Sequence, residues 1–433
     1  MLRLLLILLL WVGSAEAATY YVKTTGNDTT GDGSNGNPWL TVPKGLRSLA
    51  AGDTLNICNG SYTISGVYGN IAGDSYGGGA ASWATATTIK NCDGETYTIT
   101  HDGLNMDHLV STGGISYIIF TCDVLTRCNF RGSGSLGKSG VRLNNAAHHV
   151  RFQRMSIRSF TDHGILGGTG GCPSGPYSIE ILGSDISLNG DDNNHFEHGV
   201  YPTCSLDWIV EDSFFIGNMG FGITFHNDSV QNSHTHAIIR RNYIEGRKTG
   251  ATSTAYGIEI AAGDNHEVYN NIVNGQGAQA VKLTGCFQFY GPNTDNIKLY
   301  NNTCHDVTTG IENNSGVSGL ESKNNIFSSV SSIITDAGSG TVQSNNLCPS
   351  AGTGCSVTGS PSFVNPGTDF SLQSGSTARD AGTDLSATLT TDYIGTSRPQ
   401  NGTFDIGAYE YIVVASSNGT FTRGGKGMNG RMR

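Results

Sequence analysis

The chain has 433 residues, 61 of them Gly, with 14% charged and 37% hydrophobic residues, a balance that excludes a coiled coil or a solvated helical protein and fits a turn-rich β protein with ample core. The 25 Lys and Arg stand against 35 Asp and Glu, and the formal net charge of −10 excludes a broad electrostatic grip on nucleic acid or anionic membrane. The expected partner is neutral, or is anionic and bridged by a cation.

Residues 1–17, MLRLLLILLLWVGSAEA, carry one cation at Arg3, an apolar run from Leu4 to Val12 and the small-residue pattern Ala15-Glu16-Ala17. This predicts an export leader cleaved after Ala17. No later stretch approaches the roughly 20 apolar residues of a membrane-spanning helix, so an extracytoplasmic product without membrane insertion is expected, acting as a monomer. Ten cysteines follow the leader, at positions 58, 92, 122, 128, 172, 204, 286, 304, 348 and 355. An even count in an oxidising compartment permits disulfides throughout, and the short spacings predict Cys122 with Cys128 and Cys348 with Cys355. Scattered single cysteines without a CxxC pattern argue against a zinc site.

The middle of the chain repeats. A short apolar strand leads to an acid or amide, then to an apolar residue and a Gly-rich turn, with a polar column at Asp185, Asp212, Asn242, Asn271, Asn302 and Asn325. Two positions on come Ser187, Phe214, Ile244, Val273, Cys304 and Phe327, all apolar or weakly polar except the first; Met155 breaks the column one repeat earlier. Asn and Asp tolerate left-handed backbone and bond their own main chain, so the column marks a corner in each repeat. A second column, Gly164, Gly199, Gly222, Gly257, Ala280 and Gly310, is followed each time by one aliphatic residue expected to point inward. By the strand period of two, Leu166, Tyr201, Thr224, Glu259, Lys282 and Glu312 then point outward, and Phe225, Ile260 and Leu283 turn back in. Such units, without amphipathic helix between them, predict an all-β solenoid: a parallel β-helix whose coils stack at roughly 4.8 Å.

The ends carry a resemblance. YYVKTTGNDTTGDGSNGNPWLTVPKGL (Tyr20 to Leu46) with AGDTLNICNGSYT (Ala51 to Thr63) resembles the start of secreted right-handed parallel β-helix proteins of the pectate-lyase-like superfamily. DFSLQSGSTARDAGTD (Asp369 to Asp384) with SRPQNGTFDIGAYEY (Ser397 to Tyr411) resembles the C-terminal segment called choice-of-anchor Q. The resemblance implies an N-terminal cap and a β-rich closing segment. With the repeat it implies a leader (1–17), a right-handed β-helix (18–350), a closing segment (351–411) and a Gly-rich disordered tail (412–433). The superfamily holds polysaccharide lyases, C5-epimerases, glycoside hydrolases and members with no known activity, so architecture alone does not name the chemistry.

The densest polar constellation is NGDDNNHFEHGVY, Asn189 to Tyr201, with Asp191, Asp192, His195, Glu197, His198 and Tyr201; the next coil brings His226 to the same outward face, and His163 sits one coil before His198. Tyr201 and His226 are expected to be neighbours, and His163 to stack on His198. β-Elimination of a uronic-acid polymer needs a base for the C5 proton, an acid for the leaving oxygen and a cation beside the carboxylate. Read this way, His198 and Tyr201 are the proton-transfer groups and His226 assists, while Glu197, Glu259 and Lys282 contact substrate. Ca²⁺, which takes oxygen ligands, is assigned to Asp191 and Asp192, with Asn193 or Asn194 as further donors. Lys282, flanked by Glu259 and Glu312, reads as an ion-pair rung rather than a base. The same residues have plainer readings: His198 and Tyr201 as loop-closing groups, Asp191-Asp192 as a solvated turn, Glu259 as an exposed strand residue, and His234 and His236 as a polar loop. The expected substrate is therefore an acidic polysaccharide, attacked by a lyase or C5-epimerase. A non-catalytic glycan-binding or structural module is the alternative from another class. A glycoside hydrolase, pairing Asp191 or Asp192 with Asp212 or Glu197, is a further one, and EHGVY differs from the Gly-His-Gly element of polygalacturonases.

Overall fold

A computed structural model of the chain describes residues 16–64, 79–101, 108–112, 116–132, 139–143, 147–168, 175–191, 197–202, 206–226, 236–261 and 263–413. Most of the leader, Cys172, Asp192, Asn193, Asn194, His195, Cys204, His234 and the tail beyond 413 lie outside these residues.

The strands follow the repeat. Twelve parallel strands, from Thr19–Val22 to Val342–Ser344, stack along one face, and each pairs with its counterpart one coil away. A second face runs from Gly60–Ile64 to Val357–Thr358. A third runs from His108–Thr112 to Gly285–Phe289. The eleven-residue strands Thr303–Asn313 and Ile326–Asp336 bend round the corner between the last two faces and join them into one 19-stranded sheet. The result is a parallel β-helix with almost no helix in it. Its core is the column of inward aliphatics: Ile165, Val200, Ile223, Ile258 and Ile311 are all buried.

Two details of the repeat differ from expectation. The polar column runs one residue away from Asp185 and Asp212, through Ser184, Ser213, Asn242, Asn271, Asn302, Asn325 and Asn346. Each residue's backbone N–H donates to the side-chain oxygen of the next, over spacings of 29, 29, 29, 31, 23 and 21 residues. Met155 belongs to the ladder rather than breaking it, donating its N–H to Ser184 Oγ at 3.2 Å. In this register the residues two further on are Ile186, Phe215, Ile244, Val273, Cys304 and Phe327, all buried and none strongly polar. The left-handed corner lies one residue before the ladder: Arg154, Gly183, Asp212, Arg241, Asn270, Asn301, Asn324 and Asn345 all have φ between 51° and 57°. The amides are thus internal staples, and the residues before them make the turn.

The second difference is a register slip of six residues. Ala280, Val281 and Lys282 are not a rung of the third face; Cys286, Phe287 and Gln288 are, with Ile258 paired to Phe287 and Glu259 to Gln288. The segment between forms an excursion pinned on Glu245, whose Oε1 accepts from Ala278 N–H at 3.0 Å and Gln279 Nε2 at 3.3 Å, while Val281 and Arg247 form an antiparallel bridge. Lys282 is exposed and pairs with Asp306 at 2.5 Å, not with Glu259 and Glu312. Val281-Lys282-Leu283 and Phe287-Gln288-Phe289 carry the same alternation, and the larger aromatic pair takes the core.

The N-terminal end is closed by a short helix, Val42–Arg47, capped by Thr41 and burying Val42 and Leu46. At the other end, residues 351–411 are largely irregular, with one antiparallel hairpin of Phe363–Asn365 and Asp369–Leu372. This segment covers the outer side of the second face, where Phe363, Phe370, Ile406 and Tyr409 pack on Tyr243, Ile272, Ile326 and Leu347. Four of the corner residues hold it. Asn270, Asn301, Asn324 and Asn345 donate their side-chain amides to main-chain oxygens of Thr391, Asp405, Thr383 and Ala381. Arg398 also reaches Asn270 Oδ1 and pairs, fully buried, with Glu410 at 2.7 Å. Disulfides join Cys58 to Cys92, Cys122 to Cys128, Cys286 to Cys304 and Cys348 to Cys355, the second and fourth as the spacings predict. Among the described residues no helix is long and apolar enough to cross a membrane.

Candidate functional site

The third face positions a cleft of ≈ 450 Å³. Its floor is one vertical file of side chains, each following an inward aliphatic or aromatic: Tyr201 after Val200, Thr224 after Ile223, Glu259 after Ile258 and Gln288 after Phe287. The coils can stack this closely because small residues precede the file. A Cβ on Gly199 would meet Gly222 O at 2.4 Å. His198 and Phe221, His226 and Tyr290 flank the file, and Thr254 and Asn314 complete the walls.

Tyr201 Oη and His226 Nδ1 are 3.2 Å apart, within hydrogen-bond reach. His198 packs edge-on against the Tyr201 ring, with centroids 4.9 Å apart, and stacks on His163 at 5.4 Å. Backbone bonds fix both of these histidines: His163 Nδ1 accepts from His198 N–H at 3.0 Å, and His198 Nδ1 accepts from Phe221 N–H at 3.1 Å. An Nδ1 that accepts carries no proton, so the neutral rings hold theirs on Nε2. Burial pushes His163 down to about 3, so it stays neutral although Nε2 lies 3.1 Å from Asp162 Oδ1. His198 is only 2% exposed. It is an orienting wall for Tyr201 more than a mobile proton carrier.

Glu259 is not the exposed strand residue of the plainer sequence reading. It is 5% exposed, and the loss of water pushes its carboxyl up to about 8, with the Glu312 charge adding to the rise. Glu312 lies two rungs along, past Gln288. Both of its oxygens accept hydrogen bonds: Tyr256 Oη donates to Oε2, and Asn314 Nδ2 to Oε1 at 3.1 Å. Burial and the Glu312 contact push Tyr256 well above the usual phenol range, so it stays a donor.

The structure therefore brings His198, Tyr201, His226 and Glu259 to one cleft. It does not bring Glu197, Lys282 or Asp191 there. Glu197 is buried and accepts the Asp191 N–H at 2.7 Å, tying down the loop base, and Asp191 is exposed on that turn. Asp212 pairs with Arg241 at 2.8 Å, away from the cleft. Gln288 was missed because of the register slip, although the spacing of 29 residues between Ile258 and Phe287, matching that between Asn242 and Asn271, carried the signal. Tyr290 follows from the same correction.

No family model and no curated relative matches the chain. Solved structures do. A structure of pectate lyase Pel9A is 16% identical, with 92% of this chain and 98% of that chain covered and a TM-score of 0.57. The fold is the right-handed parallel β-helix. A complex of XylC with xylose is similar at 10% identity, with 91% and 98% of the two chains covered and a TM-score of 0.54. A glycoside hydrolase follows at 9% identity, 76% and 96% coverage and a TM-score of 0.51. At these identities the likeness establishes the shared fold, and the chemistry rests on the residues of the cleft.

Proposed function

We propose that this protein is exported and acts on a uronic-acid-containing polysaccharide by removing the C5 proton, as a lyase or a C5-epimerase. The observation that carries the reading is the Tyr201–His226 contact of 3.2 Å at the mouth of a cleft whose one lining carboxyl, among the described residues, is Glu259. A tyrosine and a histidine sharing a hydrogen bond can move a proton in either direction. In elimination, one of the pair takes the proton from C5, the C5–H electrons become the C4–C5 double bond, the C4–O4 bond breaks, and the other gives its proton to the leaving O4. In epimerisation the same C5 proton leaves and one returns on the opposite face, with no bond in the chain broken. His198 sets the Tyr201 ring. The four disulfides among the described residues suit an oxidising compartment, and the pectate lyase and glycoside hydrolase of the same fold make a glycan the natural substrate class. Hydrolysis is disfavoured, because two facing carboxyls are required and Glu259 is the one carboxyl among the described residues that line the cleft.

Asp191 offers an exposed carboxylate of the kind Ca²⁺ accepts. With Asp192 it would hold the ion on the turn outside the cleft, where its charge would draw an acidic polymer toward the loop whose base Glu197 ties down. The decisive experiment incubates the protein with pectate, alginate and glycosaminoglycans, with and without Ca²⁺, while following ultraviolet absorbance from unsaturated ends and, by NMR, exchange at C5. We expect one polymer to respond and Tyr201→Phe and His226→Ala each to lower the rate at least about a hundredfold. No response on any polymer moves the assignment to a non-catalytic glycan-binding module, and an unaltered rate in both variants removes the proposed pair.

A further inference from the structure

Three adjacent rungs of the cleft floor have hydrogen-bonding capacity that nothing in the protein uses. Thr224 Oγ1 is buried, in a residue 1% exposed, and has no partner. Glu259, on the next coil, has no hydrogen bond or ion pair to its carboxyl among the described residues, although it is almost fully buried. Gln288, one coil further, likewise directs an unpaired amide into the cleft. Elsewhere in this fold stacked polar rungs satisfy one another, as in the asparagine ladder. Buried polar groups are rarely left unpaired in proteins, and two of them stacked beside the half-buried Gln288 amide in one cleft point to a ligand that pairs them.

The chemistry of the three narrows the ligand. A hydroxyl, a carboxylic acid and a primary amide can all donate, and no Lys or Arg is among the described residues that line the cleft. Resting on the proposed uronate reaction, we infer that Thr224, Glu259 and Gln288 form a seat for the sugar carboxylate made of neutral hydrogen-bond donors. Glu259 enters as the acid and shares its proton with the substrate carboxylate, which spreads the negative charge that would otherwise resist loss of the C5 proton. The groups facing Glu259 are consistent with this protonation state. Tyr256 lies on its own strand, Tyr201 and His198 approach from two coils before, His226 from one coil before, and Tyr290 from one coil after; Glu312, two coils on, is the charged group that acts on it and disfavours its ionisation. The seat makes the site selective for acidic sugars and couples that selectivity to pH.

The test is calorimetric binding of short uronate oligosaccharides cut from pectate, alginate or hyaluronan, and of neutral oligosaccharides matched in length, at about pH 6 and about pH 9.5. Glu259 is mostly ionised at the higher value, so wild-type affinity for the acidic ligand should fall about tenfold or more while neutral ligands are unaffected. Glu259→Gln, which keeps a donor but cannot ionise, should bind the acidic ligand at both values with less than about twofold change. Thr224→Val should weaken acidic but not neutral binding. A uronate affinity with the same pH profile in wild type and Glu259→Gln overturns the seat, as does equal loss of acidic and neutral binding in Thr224→Val. Turnover measured on the same samples reads the proposed reaction separately: turnover without the pH difference removes the seat and keeps the enzyme, whereas the pH difference without turnover keeps the seat and removes the lyase or epimerase. Thermal melts of each variant identify any that fail to fold, in which case Thr224→Ala and Gln288→Leu, which also remove the hydroxyl and the amide, give the same comparison.

Discussion

Replacing Glu259 by Gln should stabilise the protein at high pH and leave it nearly unchanged at low pH. The carboxyl is pushed from an ordinary 4.5 up to about 8 in the folded chain, by burial first and by Glu312 second. A raised acid binds its proton in the folded state over a range where the unfolded chain has already released it, so stability falls as pH rises through that range. Below about 4.5 both states are protonated and no penalty exists; above about 8 the penalty is complete. A gap of about 3.5 on the pH scale, at about 1.36 kcal/mol each, sets a ceiling of about 5 kcal/mol. Water entering the cleft reduces it, and a loss of about 2–4 kcal/mol is the working expectation. The assay is urea unfolding of wild type and Glu259→Gln at about pH 5 and about pH 9, and the quantity is the difference between the two proteins, which cancels every other titrating group. Parallel pH dependences in the two proteins would refute the argument, because they would mean that Glu259 titrates alike folded and unfolded.

Gln288→Lys would place a cation in the rung between Glu259 and Glu312. At roughly 4.8 Å and an effective dielectric near 20 the attraction is about 3 kcal/mol, enough to lower Glu259 by about two on the pH scale. The pH difference between the lysine variant and its Glu259→Gln double variant should shrink accordingly, and an undiminished difference would contradict the placement of residue 288 between the two carboxyls. Asn271→Ala strands the backbone N–H of Asn242 and one of the two N–H groups of its side-chain amide, both of which donate to Asn271 Oδ1 at 3.0 Å, while the other keeps its bond to Val210 O. Each buried donor left unmet costs about 1–3 kcal/mol, so a loss of about 4 kcal/mol in urea unfolding is expected, and a loss under about 1 kcal/mol would strip the ladder of its role. If Ca²⁺ at Asp191 and Asp192 serves the reaction, chelation should abolish turnover and added Ca²⁺ restore it; a rate indifferent to chelator removes the ion from the scheme.

The architecture was legible because a β-helix writes its period into the sequence twice, once in inward aliphatics and once in corner polar residues. What misled was the local chemistry of the corner. Asp185 and Asp212 look like members of an Asn column, yet Ser184 and Ser213 fill those places, since a serine hydroxyl accepts an N–H as an amide oxygen does. The clue was Ser187: with the column at Ser184 the following inward residue becomes Ile186, and the polar exception disappears. The pairing of Tyr201 with His226 was readable from the offset after each glycine, because neighbouring coils keep register there. Glu259's burial was not readable. Alternation tells which way a side chain points, and only the walls raised by Phe221, Tyr290 and Asn314, distant in sequence, decide whether that direction meets water.

The same stacking geometry does opposite work in two places. At the corner, Asn242, Asn271, Asn302 and Asn325 sit one above the next, and each amide is donor to one neighbour and acceptor from another, so the file is closed and rigid. On the third face, Thr224, Glu259 and Gln288 stack with the same coil spacing, but their side chains do not pair, and one of them is a carboxyl forced to keep its proton. An asparagine file at these three positions would satisfy itself and stabilise the fold. A sequence that instead places a hydroxyl, an acid and an amide there gives up stability at that spot, which is the pattern expected where a surface is shaped to receive something rather than to hold itself together.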